Sequence, residues 1–110
     1  MVIQSDFNDF ILNTMNGLTY TADIGSSATV NYTDNALTTT TINKTATVSV
    51  KDQNIKLTVR LESGEANSSN LNAVMFKTGS DAIDKSLFTT IVKTSSVVID
   101  IDTTVTLFIE

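Results

Sequence analysis

Residues 46–61 read ATVSVKDQNIKLTVRL, and this stretch decides the fold class. Ala46, Val48 and Val50 alternate with Thr47, Ser49 and Lys51. After the turn-prone Lys51-Asp52-Gln53-Asn54, Ile55, Leu57, Val59 and Leu61 alternate with Lys56, Thr58 and Arg60. Successive side chains of a strand point to opposite faces, so a period of two gives each run one apolar and one wet face. Two such runs joined by a short polar turn predict a β-hairpin.

The same period extends outward from the hairpin. Upstream, Leu18, Tyr20, Ala22 and Ile24 alternate with polar residues, and Gly25-Ser26-Ser27 is expected to end that strand. Ala28, Val30 and Tyr32 predict a short second strand. NYTDNALTTTT (31–41) reads as a loop whose Leu37 plugs into the core. Downstream, ESGEANSSN (62–70) is a loop with solvated glutamates, Leu71 to Phe76 is a short apolar run, and KTGSD (77–81) is a turn. Ser86 to Lys93 reads as a strand around Phe88 and Ile91. A last strand follows Thr94-Ser95-Ser96, with Val97, Ile99, Ile101, Val105, Leu107 and Ile109 on one face. Val98, Asp100, Asp102, Thr104, Thr106 and Phe108 lie on the other, and the sequence stops on this strand.

Composition agrees. The chain has 19 Thr, 11 Ser and 10 Asn, and few helix formers. Threonine's branched β-carbon suits a pleated surface, while Asn and Ser favour turns. The expected fold is all-β: an antiparallel, jelly-roll-like β-sandwich of about seven or eight short strands. One domain should span 1–110, with an N-terminal helix segment at 1–17 and the sandwich at 18–110.

Only residues 5–17, SDFNDFILNTMNG, change to a period of 3.6. Ser5 or Asp6 can cap the first turn and Gly17 can close the last. Asp6 and Asp9 lie near the positive end of the helix dipole. Phe7, Phe10, Ile11 and Met15 form one stripe. Most amphipathic helices cover their own core, which takes the stripe onto the sheet. The other use is docking into a neighbouring subunit, with Phe7, Phe10 and Ile11 as the contact residues.

With no His and no Cys, the chain lacks the parts of Ser-His-Asp and Cys-His catalysis, of thiol redox chemistry and of the usual zinc sites. Its 4 Gly build no phosphate-cradling loop. No catalytic residue, cofactor or enzymatic activity is expected. The sole acidic pair with ligand-like spacing is Asp100-x-Asp102. On a strand both carboxylates face the same way and could meet a hard cation such as Ca²⁺. The simpler role is to keep the strand from pairing with a foreign edge. The net charge is −5 and the 7 basic residues are scattered, which argues against nucleic-acid binding. No run of about 18 apolar residues predicts a membrane span. The start, MVIQSDFNDFIL, lacks the basic segment of a signal peptide, so cytoplasmic synthesis is the expectation.

The order of these features resembles that of small tailed-virus virion proteins of the bacteriophage tail and fibre type. The matching residues are the turn Ile24-Gly25-Ser26-Ser27, the loop residue Leu37 and the apolar segment Ala73-Val74-Met75-Phe76. They continue with the basic Lys85, the stretch Phe88, Ile91 and Lys93, and the final strand Val97 to Ile109. The resemblance implies a sandwich completed by its last strand. It also implies a non-enzymatic structural role in a virion, as a tail, fibre-base or capsid-surface component made in the host cytoplasm. The implied partners are further copies of the chain, a trimer among the symmetric options, and other virion proteins. Threonine-faced strands fit such assembly, because neutral hydroxyls desolvate more easily than charges and hydrogen-bond across subunits. The alternative is a receptor- or carbohydrate-binding module that uses the 62–70 and 77–81 loops.

Overall fold

The computed structural model describes residues 4–106, apart from the side chain of Asn8. A helix, α1 (Ser5–Asn16), precedes six strands: β1 (Tyr20–Ser26), β2 (Thr39–Lys51), β3 (Asn54–Leu61), β4 (Asn70–Thr78), β5 (Asp81–Val92) and β6 (Ile99–Thr106). They form one sheet in the order β5-β4-β1-β2-β3-β6. Every neighbouring pair is antiparallel. The all-β expectation holds, but the strand count and layering differ. In place of seven or eight strands in two stacked sheets, the described residues make one sheet of six that curls into a nearly closed barrel.

The curl comes from β2. Its first part, Thr39 to Ala46, pairs with β1, and its last part, Thr47 to Lys51, pairs with β3. One strand thus belongs to two half-sheets that face each other across the core. The threonine run expected to be loop is the start of this strand. Its β-branched residues favour extended backbone even though they carry no polar–apolar alternation. Residues 28–32, expected to be a strand, are irregular, with Val30 and Tyr32 exposed. The molecule is elongated, 49 × 26 × 23 Å. The 13 residues of β2, at roughly 3.3 Å each, account for most of the long axis.

The predicted hairpin is present. Lys51 pairs with Asn54, and Asp52 and Gln53 both have positive φ (51° and 66°), the signature of a type I′ turn. The β4–β5 turn is tighter than expected. Thr78 pairs with Asp81 across Gly79 and Ser80, so β5 starts at Asp81 rather than Ser86. β1 ends at Ser26, within Gly25-Ser26-Ser27 as expected. The strand runs through Gly25 with a register shift after Ile24, and a Cβ there would lie 2.0 Å from the Thr39 carbonyl oxygen. The last strand begins at Ile99, with Val97 and Val98 in the exposed segment before it. Leu107, Phe108 and Ile109, assigned above to that strand, lie outside the described residues.

The core lies between the half-sheets. The inner face of β3 (Ile55, Leu57, Val59 and Leu61) is fully buried against Tyr20, Ala22 and Ile24 of β1 and Val74 and Phe76 of β4. Each of these four β3 side chains contributes about 1.5–3 kcal/mol by its burial. Leu37 is buried, but on the opposite face of the sheet, where it forms a small separate cluster with Ala73 and Met75. Helix α1 lies against β2 and β3. Its packed face is Leu12 and Met15, not the predicted stripe from Phe7 to Met15. At 100° per residue, Leu12 and Met15 share one side while Phe7 and Phe10 share another. Gln4, rather than Ser5 or Asp6, holds the N-cap position, and Gly17 closes the far end as expected. Among the described residues, no helix is long and apolar enough to cross a membrane.

Candidate functional site

Asp100 and Asp102 project from the outer face of β6, and each meets a cation from β3. Arg60 donates to both Asp100 oxygens, Nε at 2.7 Å and an Nη at 2.9 Å, directly across the strand pair. This bidentate pair holds the Asp100 carboxyl below the usual carboxylate range. Lys56 approaches Asp102 at 3.5 Å along the diagonal. With Thr45, Thr47 and Thr58 these groups floor a shallow depression of about 420 Å³. The cation reading thus meets two carboxylates already facing guanidinium and ammonium. Among the described residues, no three metal-binding side chains gather anywhere.

The helix separates the three predicted contact residues. Phe7 and Phe10 are 54% and 63% exposed, and Ile11 is half-buried. The two phenylalanines sit three residues apart, so their rings lie on adjacent turns of one face. Leu12 and Met15 anchor the helix beneath them. Tyr20 ties its last turn to β1, donating its hydroxyl to the Met15 carbonyl at 2.8 Å. Burial raises the Tyr20 phenol above its ordinary value.

The two loops proposed for recognition are built differently from each other. Residues 77–81 reduce to a two-residue hairpin connection. Residues 62–70 fold around Lys93, which is fully buried. Its ammonium donates to the Ser63 carbonyl (3.3 Å), the Asn67 side-chain oxygen (3.1 Å) and the Thr94 carbonyl (2.9 Å). Three donors meet three neutral acceptors, so the hydrogen-bonding capacity of the ammonium is filled. Ala66 and Ser68 take left-handed backbone to close the loop on it. Glu65 of the same loop accepts from the Lys44 ammonium and the Glu62 amide, contacts that lower its carboxyl. The loop glutamates were expected to be solvated; Glu65 is an internal brace.

Several positions escaped the sequence reading. Asp23 of β1 is buried on the outer face, accepting from Asn43 (2.6 Å) beside the Lys77 ammonium (3.2 Å). The 27–38 loop folds back over β4 and β5. Asp34 accepts from the Asn31 amide and from Lys85 (2.7 Å), which holds its carboxyl below the ordinary value. Asn72 clamps the Ser27 backbone, accepting from its amide and donating to its carbonyl, both at 2.9 Å. Lys85, Phe88 and Lys93, which carried the resemblance, are placed as a loop tether, a core-facing ring and a buried loop pin. Between β5 and β6, at the unclosed side of the barrel, lies a groove of about 500 Å³ lined by Val74, Leu87, Phe88, Ile91, Ile99 and Ile101. No protein-family model, curated protein or solved structure matches the chain.

Proposed function

We propose that the chain is a non-enzymatic virion structural protein, a tail, fibre-base or capsid-surface component that works as a symmetric homo-oligomer. The observation that carries the assembly reading is the pair Phe7 and Phe10, more than half exposed on a helix already anchored by Leu12 and Met15. Phenylalanine offers among the largest apolar areas of any side chain, and a closed symmetric assembly brings the same patch of each copy to a common interface. The order of sequence features supports the virion setting. Glu65 and Asn67 of the 62–70 loop support a structural role too, because they bond to the chain's own Lys44 and Lys93. Those bonds weigh against the binding-module alternative, which relies on the 62–70 and 77–81 loops and needs such groups free for a ligand.

Light scattering on a sizing column, across a concentration series, tests this. The expected result is a discrete oligomer that persists on dilution. Phe7→Asp with Phe10→Asp should reduce it to monomer mass while leaving the far-ultraviolet circular dichroism unchanged. A wild-type monomer at every concentration would overturn the homo-oligomer reading, and an unchanged oligomer mass in the folded double variant would overturn the assignment of Phe7 and Phe10 to its interface.

A further inference from the structure

β5 and β6 are the two outer strands of the sheet and flank one groove without pairing with each other. Among the described residues each therefore presents a row of backbone amides and carbonyls with no ladder partner on that side, the arrangement that accepts an added strand. The floor of the groove is core: Phe88, Ile99 and Ile101 pack on the main cluster, and Val74 is part of it. Leu87 and Ile91 on the β5 rim are 40% and 37% exposed. Two of the usual protections of an edge, charge and proline, are missing from this part of β5, although a register shift opposite Leu71 and Ala73 falls between Leu87 and Ile91. Residues 87–92 read LFTTIV, with neither a charge nor a proline.

The charge pattern selects the occupant. On the outer face, β3 carries Lys56 and Arg60 and β6 carries Asp100 and Asp102, so basic and acidic rows alternate up to the groove. A carboxylate can accept more hydrogen bonds than one cation supplies. A strand entering beside β6 sets its outward side chains across from Asp100 and Asp102, where basic residues attract and acidic ones repel. A second copy presenting its own β6 edge would bring carboxylate to carboxylate, and the chain as a whole is at −5. We propose that the β5–β6 seam is an acceptor for one extended strand of a different protein, apolar on its inner face and basic or neutral on its outer face. This proposal stands apart from the homo-oligomer reading, since it uses neither Phe7 nor Phe10.

The test uses two capped, dye-labelled peptides and the full chain. One peptide has the sequence NIKLTVRL, which repeats residues 54–61 and carries the required alternation. The other is its charge-swapped counterpart, NIELTVEL. Fluorescence anisotropy at low salt should show saturable binding of the basic peptide and binding about tenfold weaker for the acidic one, the size expected of two cross-strand charge pairs. Asp100→Asn with Asp102→Asn should bring the two within about twofold. Amide hydrogen exchange should show new protection along β5 and β6 with the basic peptide, and Leu87→Lys should weaken binding at the exposed rim. The proposal falls if neither peptide binds, if both bind equally to the wild type, or if protection appears on other strands. It also falls if the β5 and β6 edge amides are already protected in the chain alone. A dimer lost on Leu87→Lys, without peptide uptake, would assign the seam to a second copy and overturn the proposal.

Discussion

Gly25→Ala should be among the most damaging small substitutions in the chain. Gly25 sits at the register shift of β1, a central strand, where a Cβ would lie 2.0 Å from the Thr39 oxygen and 3.0 Å from the Thr39 carbon and Thr41 nitrogen. All three obstacles are backbone, so no side chain can rotate away. Ordinary contact begins at 3.4 Å, so β1 and β2 must separate by up to 1.4 Å (3.4 minus 2.0), or slide by as much. That is more than a quarter of the spacing of about 4.8 Å between paired strands. It endangers the pairings of Gly25 with Thr40 and Ser26 with Thr39. Overpacking costs about 1–3 kcal/mol and two weakened ladder bonds about 0.5–1.5 kcal/mol each, for a loss of about 2–6 kcal/mol. At about 4 °C per kcal/mol for a chain of this size, the Tm should fall by about 8–24 °C. Urea unfolding followed by circular dichroism measures the loss. Gly64→Ala is the control, because nothing lies within 4 Å of its added Cβ and its stability should change by less than about 0.5 kcal/mol. A Gly25→Ala midpoint matching that of the control would refute the argument from close approach.

Gln53→Gly should stabilise the β2–β3 turn by about 0.5–1 kcal/mol, since glycine relieves the left-handed strain at φ 66° but adds unfolded-state entropy. A raised urea midpoint at constant m-value is the readout. Lys93→Met should lose about 2–3 kcal/mol by leaving three oxygens without their donor, partly offset by removing a buried charge. Native-state hydrogen exchange should then show residues 62–70 opening first, and unchanged protection there would count against the pin. Acid should destabilise the fold. Asp34, Glu65 and Asp100 bind protons less readily when folded, because of Lys85, Lys44 and Arg60 respectively. Their contribution is complete above the ordinary carboxylate values, near 4, and drains as pH falls through those values and below. Tm should therefore drop between about pH 5 and 3, and less steeply in Asp34→Asn; parallel curves for the two proteins would remove Asp34 from the account.

The hairpin at 46–61 was legible because everything that specifies it is local: a period of two, a polar turn and registered neighbours. The extent of β2 was not, since Thr39, Thr40 and Thr41 show no alternation and only their β-branching speaks for extended backbone. Two facing half-sheets were foreseeable, but their sharing of one strand was not, because that depends on where β1 stops pairing along β2. The spacing of Asp100 and Asp102 was visible, while the cation of the Asp100 pair stands 40 residues away. Lys93 looked like a polar end to a strand. Its burial depends on Ser63 and Asn67, 30 and 26 residues distant, folding over it. For the helix, periodicity found the element but chose the wrong face, since Leu12 breaks the stripe that three aromatic and aliphatic neighbours suggested. The groove between β5 and β6 follows from strand order alone, which no local pattern encodes.

The strand shared by both half-sheets also governs cooperativity. The β1 partners of β2 end at Ala46, and its β3 partners begin at Thr47. Neither half can detach without stripping the backbone template from the other. Loss of order in one half should therefore propagate through a single peptide bond into the other, and unfolding should be all-or-none. Tyr20 reports on the β1 side and the far-ultraviolet signal on the whole sheet, so their melting curves should coincide.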